Sequence, residues 1–290
     1  MTDRPRFGCI EAGGTKFLVG IADAPDNILA TTRIPTTTAE ETIGAVIDWL
    51  TQQGRLDAIG IGSFGPIDPD PTSPYWGYIT ETTKAGWSNT DFAGRVSRAL
   101  GVPVGFDTDV NGAALAEGRW GAARGDDVAA YVTVGTGIGG GAIISGVPLH
   151  GARHPEMGHI MARRHPDDMD FPGVCPFHGD CFEGLASGPA IIARWGASLS
   201  ELPYDHPGHA IIGWYLGQLA VAIQTVLSPR RIIFGGGVMA TPGLIERIRS
   251  AAMTLGKDYV TMIIQSPGLG DQAGLLGGLA LAEAAYRIRQ

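Results

Sequence analysis

His159 is followed by Cys175-Pro176-Phe177-His178-Gly179-Asp180-Cys181, so two imidazoles and two thiolates share one short stretch. Soft and borderline ligands of this kind suit tetrahedral zinc, and Cys-x-x-His-x-x-Cys spacing lets one loop wrap three of them around an ion. The chain has three cysteines, and two of them beside two histidines argue against coincidence. A Cys175–Cys181 disulfide is the rival. It is weakened by the polar start Met1-Thr2-Asp3-Arg4-Pro5-Arg6, which lacks the apolar core of a secretory signal. A cytoplasmic, reducing setting then favours metal over disulfide. Cys9, inside the apolar Phe7-Gly8-Cys9-Ile10, reads as a small buried residue rather than a ligand. Glu156 precedes His159 by one turn, so a metal that fixes His159 also positions a carboxylate able to hold a substrate hydroxyl.

A second candidate lies at Phe106-Asp107-Thr108-Asp109-Val110-Asn111, where a strand gives way to a helix. Ligands of α/β folds gather at such strand ends. Asp109 either accepts a proton from a substrate hydroxyl or serves as the helix N-cap. Asp107 is placed as its helper or as a metal contact, and Asn111 as a donor to a hydroxyl.

These groups need a scaffold, and the 44 glycines outline it. They gather in knots that follow apolar, β-branched runs. The first knot, within residues 7–21, holds Gly13, Gly14, Thr15 and Lys16 between two apolar strands, a hairpin with a glycine-rich tip. The second, within residues 130–144, repeats the layout around Gly135, Thr136 and Gly137. Backbone N–H groups and a Thr hydroxyl at such tips can cradle phosphate oxygens, although each tip alone is equally consistent with a plain turn. The third knot is a strand, residues 231–234, that ends in Gly235, Gly236 and Gly237 before a helix near Pro242. Neither tip matches Gly-x-x-x-x-Gly-Lys-Ser/Thr, which sets a P-loop aside. Residues 135–140 formally satisfy the Gly-x-Gly-x-x-Gly dinucleotide fingerprint, but a strand follows where that fingerprint requires a helix.

Helical periodicity covers residues 42–53, 90–100, 111–120, 189–196, 210–227, 244–254 and 274–289, alternating with short strands at 58–62 and 102–106. The alternation predicts α/β architecture. The repeated hairpin predicts two lobes: residues 1–109 joined by the last helix at 274–290, and residues 110–273 carrying the ligand-rich loop 154–183. At 290 residues with 44% hydrophobic content the chain can fill two cores. A net charge of -8 and no dense Lys/Arg cluster argue against a nucleic-acid partner. Residues 210–227 are uncharged and about long enough to span a bilayer, yet Gly217, Gln218 and Gln224 interrupt them, so a buried central helix and no membrane association are expected.

Four motifs in order, Glu-Ala-Gly-Gly-Thr-Lys-Phe at 11–17, Thr-Asp-Val-Asn at 108–111, His-Pro-Glu-Met-Gly-His at 154–159 and the Cys-rich loop at 175–181, resemble the ROK family of sugar kinases and related repressors, nearest its bacterial fructokinase branch. The resemblance covers nearly the whole chain. It implies a two-lobed actin-like ATPase (ribonuclease H-like) fold with a cleft between the lobes. It implies ATP-dependent phosphorylation of a hexose, with D-fructose to fructose 6-phosphate expected. Kinases for mannose, glucose or N-acetylmannosamine, and a non-enzymatic sugar sensor, are the alternatives. Asp109 would be the general base toward the sugar 6-hydroxyl. Thr108, Asn111, Glu156, Glu183 and backbone near Gly65 would bind the sugar. Residues 13–16 and 135–137, with Mg²⁺, would hold the phosphates. Gly235, Gly236, Gly237, Val238 and Met239 would lie against adenosine, with Pro189 on the rim. His159, Cys175, His178 and Cys181 would hold a structural zinc, since four protein ligands leave no open position. A homodimer is also implied.

Two departures from the glucokinases of the family, Glu11 for Asp and Thr108 for Asn, fit the fructokinase branch and predict a different hydroxyl-binding geometry. The aromatic segment 75–87 is either a lid over the sugar or packing. Repressor members carry a DNA-binding module before the first phosphate loop, for which the residues ahead of Glu11 leave no room.

Overall fold

The computed structural model describes residues 4–289. The chain divides into two compact units. The first takes in the chain up to Arg124, Val147–Pro155 and the stretch from Asp271 on; the second takes in Gly125–Gly146 and Glu156–Gly270.

In the first unit, β1 (Phe7–Ala12), β2 (Lys16–Ala24), β3 (Asn27–Pro35), β4 (Ala58–Ser63) and β7 (Val104–Thr108) form one sheet in the order β3–β2–β1–β4–β7. Strands β1, β4 and β7 are parallel, and β2 and β3 complete an antiparallel meander. Two short strands, β5 (Tyr78–Ile79) and β6 (Thr90–Asp91), pair apart from it. Helices α1 (Ala39–Gln52), α2 (Phe92–Leu100) and α3 (Asp109–Trp120) belong to this unit, as does the last helix. Phe17, Trp87 and Phe92 are fully buried and stack in tilted and edge-on contacts with centroids 5.5–6.4 Å apart. Truncating one such ring to alanine costs about 3–5 kcal/mol. The aromatic segment therefore does not act as one lid: Trp87 is core, Trp76 leans on Phe106, and Tyr75 remains 62% exposed.

The second unit repeats the plan. Strands β8 (Val128–Val134) and β9 (Ile138–Ile144) form a hairpin, and β11 (Arg231–Gly235) and β12 (Ile263–Gln265) follow β8 in parallel, giving the order β9–β8–β11–β12. The short strand β10 (Val147–Pro148) leads back into the first unit. Helices α4 (Phe182–Ala186), α5 (Gly188–Trp195), α6 (Gly208–Leu227) and α7 (Leu244–Gly256) complete it. Among the described residues α6 is the one helix long and apolar enough to cross a membrane, and 56% of its most apolar window is buried. Gly213 and Gly217 in α6 approach Arg247 and Ala251 of α7 so closely that a Cβ on either would fall within 2.7 Å of them, which explains why those glycines interrupt the apolar run.

The last helix, α8 (Ala273–Ile288), seals the first unit. A Cβ at Gly60 of β4 or Gly105 of β7 would collide with α8 backbone, and one at Gly277 would fall 2.6 Å from Gly112 of α3. The lost side chains allow backbone-to-backbone packing. They also explain why the first unit runs on past residue 109: α3 is clamped between β4 and α8 and cannot leave with the second unit.

Candidate active site and candidate metal centre

Register aligns the carboxyl ends of three strands in the first unit. Ala12 of β1 pairs with Ser63 of β4, and Ser63 with Thr108 of β7. The residues that follow therefore emerge side by side: the turn at Gly13, the segment Phe64–Gly65, and Asp109. Phe64 N donates to Ala12 O at 2.8 Å and holds that alignment one residue further. Thr108 is the N-cap of α3, its hydroxyl accepting from Asn111 N at 3.1 Å, so Asp109 is the first helical residue and not the cap. Asp109 Oδ1 accepts from Val110 N at 2.9 Å, and the residue is partly exposed.

Asp107 is 2% exposed and engaged by protein on both oxygens. Oδ1 accepts from Thr108 N at 2.7 Å and from Asn111 Nδ2 at 2.9 Å, while His150 Nε2 lies 2.9 Å from Oδ2. That network corrects the expectation that Asp107 helps Asp109 or contacts a metal: its acceptors are spent on holding β7, α3 and the segment before His154 together. The hydrogen bond to Asp107 raises the pKa of His150, against partial burial that lowers it. Thr108 and Asn111, expected at the substrate, are buried and take part in this framework.

In the hairpin between β1 and β2, Gly13 N donates to Lys16 O at 3.1 Å, and Gly14, Thr15 and Lys16 are exposed. Glu11 lies at the start of α8, where a Cβ on Gly274 would overlap its carboxyl. Burial pushes its pKa up, Lys16 pulls it down and Asp271 raises it further. Gly65 faces His154, whose ring atoms lie 3.4 Å from a Cβ built there, and His154 Nε2 accepts from Ile67 N at 3.1 Å.

In the second unit, Thr136 is exposed at the tip of the β8–β9 hairpin, and Glu183 of α4 reaches beneath it. Glu183 Oε2 accepts from Ile138 N at 3.0 Å, and a Cβ on Gly137 would fall 2.6 Å from that oxygen. Gly188 N donates to Gly135 O at 2.7 Å, which ties the start of α5 and the exposed Pro189 to the same hairpin. Gly235 is buried at the end of β11 beside Tyr131, whereas Gly236 and Gly237 are exposed and lead into a turn bearing Val238 and Met239. Gly236 has φ of +92° next to the β8 backbone, a position closed to other residues.

His159, Cys175, His178 and Cys181 converge, their ligand atoms all within 4.8 Å of one another. His159 Nδ1 lies 3.6 Å from Cys175 Sγ and 3.5 Å from Cys181 Sγ, and His178 Nδ1 lies 3.7 Å from Cys175 Sγ. Tetrahedral zinc with bonds of about 2.3 Å to sulfur and about 2.0 Å to nitrogen sets sulfur–nitrogen separations of about 3.5 Å, so the donor set fits. Both cysteines are free thiols, which excludes the disulfide. Burial dominates in pushing the Cys181 thiol up to about 11; a bound dication reverses that balance by holding thiolate. Glu156 precedes a single 3-10 turn, Met157–His159, rather than a turn of α-helix, with His159 N donating to its carbonyl at 3.0 Å. The other ring nitrogen of His159 lies 3.9 Å from Glu183 Oε1. One side chain thus joins the Cys/His cluster to the carboxylate that braces the hairpin.

Sequence reasoning gave no role to His150, nor to His154 beyond its place in the motif at 154–159. Both precede Glu156 in a stretch rich in histidine, and that clustering was the available signal.

The model of the ROK family matches residues 7–285. The chain is 49% identical over 295 residues to a fructokinase of Zymomonas mobilis, with 98% of each chain covered. Among solved structures, a ROK hexokinase from Thermus thermophilus superposes with a TM-score of 0.80 at 26% identity, covering 98% of this chain and 99% of that one. A ROK family glucokinase from Streptomyces griseus, in complex with glucose and AMPPNP, gives 0.78 at 25% identity over 96% and 99%. The family model covers nearly all of the chain, and the two structures superpose on it along almost their whole length: the chain has the actin-like ATPase fold and belongs to the ROK family.

Proposed function

We propose that the protein is an ATP-dependent fructokinase, transferring the γ-phosphoryl group of Mg-ATP to the 6-hydroxyl of D-fructose. The observation that carries this is the full-length similarity to a fructokinase, joined to the alignment of Asp109 with the turn at Gly13 and the segment at Gly65. Asp109 takes the proton as O6 bonds to the γ-phosphorus and the bond to the bridging oxygen breaks, releasing ADP. Such a base contributes about 10²–10⁴-fold. The remainder is positioning and neutralisation, which are assigned to the two tips at residues 13–16 and 135–137, where Gly13 N and Gly135 N are spent on closing the turns. Gly236, Gly237, Val238 and Met239 with Pro189 are assigned to the adenosine, and backbone near Gly65 with Glu156 and Glu183 to the sugar. The 3.9 Å gap between His159 Nε2 and Glu183 Oε1 suits a sugar hydroxyl about 2.8 Å from each. His159, Cys175, His178 and Cys181 are assigned to a structural zinc, which when bound locks the ring of His159 and draws the loop together. We further assign a cytoplasmic location, on the reduced cysteines, and a homodimer, which sedimentation tests.

The functional test is ADP release from Mg-ATP against fructose, mannose, glucose and N-acetylmannosamine. Fructose is expected to support the fastest turnover, and Asp109→Asn to lower kcat by at least about 10²-fold with ATP affinity unchanged. Turnover unaffected by Asp109→Asn removes the base assignment. Turnover with another hexose alone removes fructose.

A further inference from the structure

Residues 80–89 run from β5 to β6 and carry Lys84. Trp87 anchors this segment: its ring is fully buried, its Nε1 donates to Thr37 O at 2.8 Å, and it packs edge-on against Phe64 at 5.2 Å. Trp87 N donates to Lys84 O at 3.2 Å, and Lys84 N donates to Thr82 Oγ1 at 3.3 Å. The Thr82 hydroxyl in turn donates to Gly65 O at 3.3 Å. The far end of Lys84 is fixed as well, because its Nζ donates to Gly14 O at the exposed tip of the first glycine–threonine hairpin. The segment thus spans from the strand end assigned to the sugar to the loop assigned to phosphate, with an ammonium at the second of these.

We propose that Lys84 is a catalytic residue of phosphoryl transfer, its ammonium binding the γ-phosphoryl oxygens between the hairpin tip and the acceptor hydroxyl. The inference rests on the kinase assignment above. An ammonium has three N–H donors, and Gly14 O takes one, leaving two for phosphate oxygens cradled by the same loop. The charge on a transferring phosphoryl group is spread over its equatorial oxygens, and fixed cations aimed at them lower the barrier. A surface lysine with no task has little reason to be held to a neutral carbonyl by a fully buried tryptophan three residues on. Lysine also suits the place, since a compact charge on a flexible stem can follow an oxygen that moves from donor to acceptor.

The test uses Lys84→Met and Lys84→Arg in the full chain. Lys84→Met is expected to lower kcat by about 10²–10³-fold, with the melting temperature and ADP affinity of the wild type. Its calorimetric affinity for AMPPNP relative to ADP is expected to fall about tenfold, and Lys84→Arg to recover part of both losses. A kcat within about threefold of wild type, or a loss confined to the KM for fructose, overturns the proposal. Equal losses of AMPPNP and ADP affinity overturn it too, as marking a structural brace. If the wild type phosphorylates no hexose, the AMPPNP-to-ADP ratio still decides the role of Lys84, while the fructokinase assignment fails.

Discussion

The two glycine–threonine hairpins have the same topology and opposite chemistry around their tips. In the first, Lys84 brings an ammonium to Gly14 O, and Gly14 has nothing within 4 Å of where a Cβ would be. In the second, Glu183 brings a carboxylate to Ile138 N, directly beneath Gly137, and through His159 faces the Cys/His cluster. The fold presents two hairpins of one layout. Single side chains from elsewhere in the chain then set the charge beside each tip: an ammonium at the first, and at the second a carboxylate that neighbours the Cys/His cluster. A hairpin that exposes N–H groups is thus a scaffold for either sign of partner.

The largest expected effect separates the two halves by stability. Cys181→Ser, or a strong chelator, should release zinc, whose apparent contribution in small domains is about 10–16 kcal/mol. Hydrogen exchange should then rise across residues 156–186 and the β8–β9 hairpin while β1 and β2 keep their protection. Equal loss in both hairpins would show that metal also supports the first, and one zinc per chain retained by a Cys175→Ser, Cys181→Ser double variant would rule out this ligand set.

A smaller contrast comes from adding one methyl group to each tip. Gly137→Ala must displace Glu183, and should lower kcat/KM for the sugar by roughly tenfold at a cost near 1 kcal/mol in stability. Gly14→Ala meets open space and should melt within about 1 °C of wild type. If both substitutions are equally tolerated, the carboxylate beneath the second tip is not what shapes it.

The smallest effect belongs to the framework behind Asp109. The folded pKa of His150 lies above its unfolded value, so its bond to Asp107 contributes fully below about pH 6.5 and is lost as pH rises through the folded pKa. Wild type should therefore lose roughly 1 °C more than His150→Gln on passing from pH 6 to pH 8, a small figure because a third of the ring is exposed to solvent. Parallel melting curves would exclude a titrating His150 from the framework.

Elements with a strong period were legible in the sequence. Both hairpins, the strands at 58–62 and 102–106 and the long helices stand where apolar spacing places them, within a few residues. Strand β3 escaped, since as a sheet edge it alternates only between exposed and half-buried positions and carries the polar pair Thr31-Thr32 at its centre. The four residues of the Cys/His cluster were legible because their chemistry is local in sequence. By contrast, the partner of Asp107 lies 43 residues away at His150, and that of Gly14 lies 70 residues away at Lys84. Pairings of that kind depend on where β7, β10 and residues 80–89 come to rest, which periodicity does not encode. Asp107 and Asn111 look available in the sequence for the same reason, until His150, the third member of their network, is in place.

The clamp of α8 on glycines of β4, β7 and α3 has a consequence for how the molecule is made. The unit carrying Asp109 cannot close until α8 has been synthesised, because the backbone-to-backbone seam at Gly60, Gly105 and Gly277 has no other partner to fill it. The second unit, formed by Gly125–Gly146 and Glu156–Gly270, lies wholly ahead of α8 in the chain, so vectorial synthesis delivers its last residue before the helix that seals the unit carrying Asp109.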